Sequence, residues 1–113
     1  MRSDREKKPY VEGFEELVLG IVYKHQGKAY GVTVWQDLEE AGRSAALGQI
    51  YATLDRLEAN GFVKSFFGEA TKERGGRRKK FFEATGEGVQ ALNEAARTRS
   101  ALQIVLRQGL AHE

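Results

Sequence analysis

Apolar residues recur at spacings of three and four over positions 10–25, where Tyr10, Phe14, Leu17, Val18, Ile21 and Val22 mark one face of a helix. Pro9 suits the first turn of that helix and Gly27 a left-handed exit from it. Beyond Gly31, Val32, Val34, Trp35 and Leu38 lie beside Gln36, Asp37, Glu39 and Glu40, a shorter helix with an acidic outer face that stops at Gly42. A third helix is predicted over 46–60, with Leu47, Ile50, Leu54 and Leu57 on its core side, Ser44 as its cap and Asn60-Gly61 as its stop.

The period then changes. Positions 62–67 and 79–84 are rich in aromatic and β-favouring residues and too closely bounded for helices, so they predict a hairpin. Its loop over 68–78 is polar, with Gly75-Gly76 at the tip. Thr85 caps a last helix over 86–108, about 35 Å long at 1.5 Å per residue. Val89, Leu92, Ala96, Leu102, Val105 and Leu106 mark its apolar side, and a domain this small cannot cover all of it. That stripe therefore predicts a dimer seam, joined by Tyr10, Phe14 and Arg99.

Length and composition narrow the class. With 113 residues, 41% of them hydrophobic, the chain holds one modest core and no second one. The expected division is a flexible arm over 1–9, a core domain over 10–84 and a dimerisation helix over 85–113. Cysteine is absent, which excludes a disulfide framework and a thiolate metal site and fits a reducing cytoplasm. The longest nearly unbroken apolar run, 17–23, is far too short to cross a bilayer, and the polar first residues have no signal-peptide character.

Three helices followed by a hairpin and a long terminal helix is the order of a winged helix-turn-helix, an α+β fold that is mostly α. On the third helix Gln49, Tyr51, Ala52 and Arg56 fall largely off the core stripe. They offer an amide, a phenol, a small apolar contact and a cation, the groups that read base edges or phosphates in a major groove. Ser44, just ahead of the helix, joins this set. The loop segment KERGGRRKK at 72–80 holds six cations and one acid, so its +5 leaves about −3 on the rest of a chain whose net charge is +2. Lys72, Arg74, Arg77, Arg78 and Lys79 would neutralise phosphates there, while Gly75 and Gly76 let the backbone come close.

Chemistry of other kinds has little to stand on. Gly86-x-Gly88-x-x-Ala91 imitates a dinucleotide fingerprint, but that motif needs a βαβ unit and here the preceding strand belongs to a hairpin. His25 and His112 have no metal-ligand spacing, and adjacent pairs such as Glu39-Glu40 diverge on a helix. No metal, cofactor or enzymatic activity is expected. Trp35 fits core packing or the wall of an inter-subunit ligand pocket. From the residues alone, an adaptor that binds protein partners and an RNA-binding loop also stay open.

Leu17-Val18-Leu19-Gly20, Ala29-Tyr30-Gly31-Val32, the run from Leu47-Gly48-Gln49-Ile50-Tyr51 through Leu57-Glu58, Gly61-Phe62-Val63, Glu73-Arg74-Gly75-Gly76-Arg77, Phe81-Phe82 and Thr85 with Gly88 fall in order. Together they resemble the PadR-like transcriptional regulators over residues 14–92, with a single terminal helix as in the shorter subgroup. The resemblance implies a winged helix, a terminal helix that makes the dimer, major-groove entry by the third helix and wing contact with the backbone or minor groove. Its implied partners are double-stranded operator DNA and a second copy, with repression the usual outcome. Trp35 departs from the charged or aliphatic residue many relatives carry, and no small-molecule effector can be named.

Overall fold

The computed structural model describes residues 10–70 and 78–111. The first helix, α1 (Gly13–Lys24), starts three residues later than the apolar spacing predicts. Gly13 has φ +61°, and a left-handed residue interrupts a right-handed helix, so Tyr10 stays outside it. Val18, Leu19, Ile21 and Val22 turn inward, with Glu15 and Glu16 in the first turn and Lys24 in the last, charges that suit the helix dipole.

Helix α2 (Gly31–Glu40) buries Gly31, Val34 and Leu38. Helix α3 (Leu47–Ala59) buries Ile50, Thr53, Leu54 and Leu57. Two expectations for α3 fail. Leu47 is 40% exposed because it begins the helix, beyond the edge of the core. Thr53 takes an inward place instead, its hydroxyl satisfied by the Gln49 carbonyl at 2.9 Å. Ser44 is no cap: the capping position falls on Ala46, which has no side-chain bond to give.

Strands β1 (Val63–Ala70) and β2 (Arg78–Ala84) pair antiparallel, Val63 opposite Ala84 and Phe66 opposite Phe81. Both run further toward the loop than the aromatic segments alone suggested. A bulge between Phe67 and Ala70 adds a residue to β1 and increases the twist there. Ala29 forms a bridge to the other edge of β2, with the Phe82 N–H donating to the Ala29 carbonyl at 2.8 Å. Gln26 continues that edge with its side chain: the amide nitrogen donates to the Ala84 carbonyl, and the Ala84 N–H donates to the amide oxygen, both at 2.9 Å. We expect Gln26→Ala to lower stability by about 1–3 kcal/mol, because two strand groups lose partners in a half-buried place. Gln26→Glu should not rescue it, since a carboxylate cannot donate to Ala84. Thermal unfolding of both variants checks this.

The last helix, α4 (Gly86–Ala111), begins as predicted at Thr85, whose hydroxyl accepts the Gly88 N–H at 3.0 Å and donates to the Gly61 carbonyl at 2.6 Å. Gly88 and Ala91 are buried, with Val89, Leu92 and Ala95 packed against the core. Every described position beyond Ala95 is exposed. The projecting helix stretches the molecule to 63 × 38 × 22 Å. Among the described residues no parallel strand follows β2, so the fingerprint-like glycines belong to the helix start. No described helix is long and apolar enough to cross a membrane.

Candidate nucleic-acid interface

Gln49, Tyr51 and Ala52 lie on the exposed side of α3, and Ser44 is exposed in the segment leading to it. Arg56 is exposed too, but its guanidinium is engaged within the chain, donating to Glu15 on α1 at 3.0 Å and to the Thr53 hydroxyl at 3.2 Å. That pair braces α3 against α1. One carboxylate that sequence reasoning passed over, Asp55, is exposed one turn beyond Tyr51. It sits toward the C-terminal end of α3, away from the end that enters a groove first.

The hairpin's second strand holds Arg78, Lys79 and Lys80 against aromatic rings. The Arg78 guanidinium lies 5.6 Å from the Phe67 ring centre and donates to the Gly68 carbonyl at 2.7 Å. Lys79 sits 4.6 Å from the Tyr30 ring centre, and Lys80 5.6 Å from that of Phe82. Such contacts restrict long side chains without neutralising them. The predicted contacts Lys72, Arg74, Gly75, Gly76 and Arg77 lie outside the described residues.

Helix and hairpin meet at one corner. Tyr51 packs over Gly31 so closely that a Cβ there would stand 2.3 Å from the Tyr51 hydroxyl oxygen. The preceding residue, Tyr30, holds Lys79 and meets Phe81 edge to face at 5.6 Å. Exposed groups of α3 and of the wing's second strand therefore adjoin the same two residues.

A different surface gathers the predicted seam. Leu102, Val105, Leu106 and Leu110 form a stripe on α4, from 53% exposed at Leu102 to 69% at Leu110. A groove of about 730 Å³ runs beside α1, lined by Gly13, Leu17, Gly20, Ile21 and Leu92 and by charged side chains that include Glu16, Lys24, Glu40 and Arg43. Arg99 pairs with Glu16 at its edge. Phe14, Val89 and Leu92 pack partly against the core, while Ala96 is exposed and its neighbour Ala95 takes the packed place. Tyr10 and Arg99 line a smaller hollow of about 300 Å³ between the segment that leads into α1 and α4. Leu110 and the exposed Ile104 were not anticipated; Leu110 was findable by extending the three-and-four spacing from Leu106.

Trp35 lines neither hollow. It stands 39% exposed beside the Val34–Leu38 core line of α2, which corrects the core reading. Asp37 accepts from Lys24 and contacts His25, each at 2.9 Å. Burial alone would raise its carboxyl, but those two groups hold it below the usual aspartate value. A lowered folded-state value stabilises the fold above the unfolded pKa, and that contribution is lost as pH falls through the folded one. Among the described residues no three His, Cys, Asp or Glu side chains gather where they could hold a metal ion.

Comparison with known proteins agrees with this architecture. A PadR-like transcription factor from Bacteroides fragilis superposes with a TM-score of 0.73 at 23% identity, over 83% of this chain and 86% of that one. A PadR family regulator from Clostridium difficile gives 0.70 at 23% identity, over 87% and 99%. Bacillus subtilis PadR, solved in complex with operator DNA, gives 0.61 at 27% identity, over 73% of this chain and 45% of that longer one. A comparison with curated proteins gives no match. The family model for the PadR-like transcriptional regulators matches residues 18–94, well over half of the sequence, and with the shared fold this establishes that the chain belongs to the PadR-like family of transcriptional regulators.

Proposed function

We propose that the protein is a homodimeric, cytoplasmic repressor that binds operator DNA. The observation that carries this reading is the shared corner: Tyr51 of α3 and Lys79 of the wing both rest on Tyr30-Gly31, so the helix and the cationic strand address one side. Helix α3 would lie in the major groove with Gln49 and Ala52 near base edges, and Ser44 and Tyr51 near phosphates. The wing's cations over 72–80, Lys72, Arg74, Arg77, Arg78 and Lys79 among them, would lie along the flanking backbone or minor groove, approached through Gly75-Gly76. Arg56 would reach a phosphate only by leaving Glu15.

The exposed stripe of α4 supports the dimer. That stripe would lie in the α1 groove of a second copy, where Gly20 leaves open space above the backbone, and would hold the two α3 helices about one DNA turn, roughly 34 Å, apart. The operator complex of the Bacillus subtilis relative supports the DNA partner. No cofactor enters this mechanism. An effector, if the cell supplies one, would act by changing the spacing of the heads.

Sequencing the genomic fragments retained by the purified protein tests the proposal. The expected yield is an inverted repeat with half-sites one turn apart; retention of random DNA alone would overturn it in favour of a protein-binding adaptor. On the recovered operator, replacing both Arg78 and Lys79 with Ala should flatten the dependence of log affinity on log salt by about 1.8, since each phosphate contact contributes about 0.9. Replacing Gln49 with Ala should instead change preference at one base position.

A further inference from the structure

Tyr30 itself was in no set of candidate contacts, yet both halves of the proposed DNA-facing side depend on its place. Its backbone is fixed three ways. The Tyr30 N–H donates to the Thr33 hydroxyl at 2.9 Å, that hydroxyl donates back to the Tyr30 carbonyl at 2.8 Å, and the same carbonyl accepts the Val34 N–H at 3.1 Å. The residue before it, Ala29, is buried and bridged to Phe82. The ring is fixed as well, edge-on to Phe81, which stacks on Phe66 with centres 5.7 Å apart.

This anchored ring carries the Lys79 ammonium, 4.6 Å from its centre and 3.5 Å from its hydroxyl. Lysine is otherwise a flexible point charge that loses much rotamer freedom on meeting a phosphate. A ring occupies one side of the ammonium and leaves its remaining donors for an anion. On the adjoining residue, Gly31, the Tyr51 phenol rests against bare backbone.

We propose that Tyr30 is a positioning residue for DNA binding: its ring pre-sets Lys79 of the wing at a fixed reach from Tyr51 of α3, so the two elements meet the backbone in one register. The proposal rests on the DNA-binding reading above and adds to it a residue that need not touch DNA.

Four variants measured on the recovered operator separate the outcomes: Lys79→Ala, Tyr30→Ala, Tyr30→Phe and the double variant Tyr30→Ala with Lys79→Ala. Lys79→Ala should weaken binding roughly tenfold and flatten the salt slope by about 0.9. Tyr30→Ala should reproduce most of both effects, and the double variant should be little worse than Lys79→Ala alone, because the two residues act as one unit. Tyr30→Phe keeps the ring and should restore the wild-type slope. The lysine ε-methylene protons, shifted upfield by the ring in the wild type and in Tyr30→Phe, should return to their ordinary NMR position in Tyr30→Ala. The slope reads only molecules that bind, so partial unfolding of a variant does not imitate the result. If Lys79→Ala flattens the slope and Tyr30→Ala does not, or if their losses add, the positioning role is overturned while the DNA-binding reading stands. If Lys79→Ala leaves the slope unchanged, the wing reading fails and takes the role of Tyr30 with it.

Discussion

Gly88→Ala lowers the melting temperature by about 12–24 °C, the largest loss expected from a methyl group added at any described glycine. A Cβ built on Gly88 stands 2.1 Å from the Phe62 carbonyl oxygen and 3.1 Å from its carbon. Both are backbone atoms, so no change of rotamer relieves the clash. The oxygen is also held in place, accepting the Thr85 N–H at 3.0 Å, while the neighbouring Gly61 carbonyl accepts the Thr85 hydroxyl. Helix α4 must therefore lift from the end of α3, and its capping residue must leave with it. Overpacking of this kind costs about 3 kcal/mol, and at about 4–8 °C per kcal/mol the shift follows. Gly86→Ala is the control: two residues earlier on the same helix, its Cβ meets nothing within 4 Å. Scans at one protein concentration, so that dimerisation is equal in all samples, decide the matter. A Gly88→Ala protein that melts within about 2 °C of wild type would mean that α4 does not dock on Phe62 as described.

That contact also marks where sequence reading stops. The helices were legible because a core face repeats every three or four residues, and Ile50, Leu54 and Leu57 declare α3 without further help. Thr85 was legible because a threonine ahead of a glycine-rich helix start is a local signal. Leu47 misled because the repeat continues one step past the edge of the core, and burial at an edge depends on which neighbour happens to reach it. Gly13 misled for another reason: a left-handed glycine costs nothing in the pattern, so the apolar spacing ran through it to Tyr10. The site divides in the same way. Cations at 78 and 79 and a polar face on α3 can be read from charge and period. The partners cannot: nothing in the spacing of Glu15 and Arg56, or of Tyr30 and Lys79, 49 residues apart, says that they meet. Gln26 pairing with Ala84 is the same kind of fact, a long-range contact made by a side chain imitating a strand.

Leu102→Glu converts the protein to a monomer and removes most of its operator affinity while leaving the winged-helix head folded. Leu102 is 53% exposed and lies beyond Ala95, the last residue of α4 packed on the core, so within one chain the substitution disturbs nothing. Across the proposed twofold it places a carboxylate among Val105, Leu106 and Leu110 and the apolar residues of the partner's groove, and it does so twice. Each unpaired charge left in such a seam costs about 4 kcal/mol, so even one of the two raises the dimer dissociation constant about a thousandfold. Each head then binds its half-site alone, and the loss of linkage between two half-sites is worth about 10²–10⁴ in affinity. Sedimentation at micromolar concentration and titration of the operator read the two effects separately. Ser100→Glu tests the alternative that any added negative charge on α4 repels DNA or unwinds the helix. Ser100 is exposed and stands roughly opposite Leu102 on the helix, about 160° around its axis, so it should leave both measurements as in the wild type. A Leu102→Glu protein that stays dimeric would assign the seam to another face. The spacing of the two α3 helices would then have to be set by something other than α4.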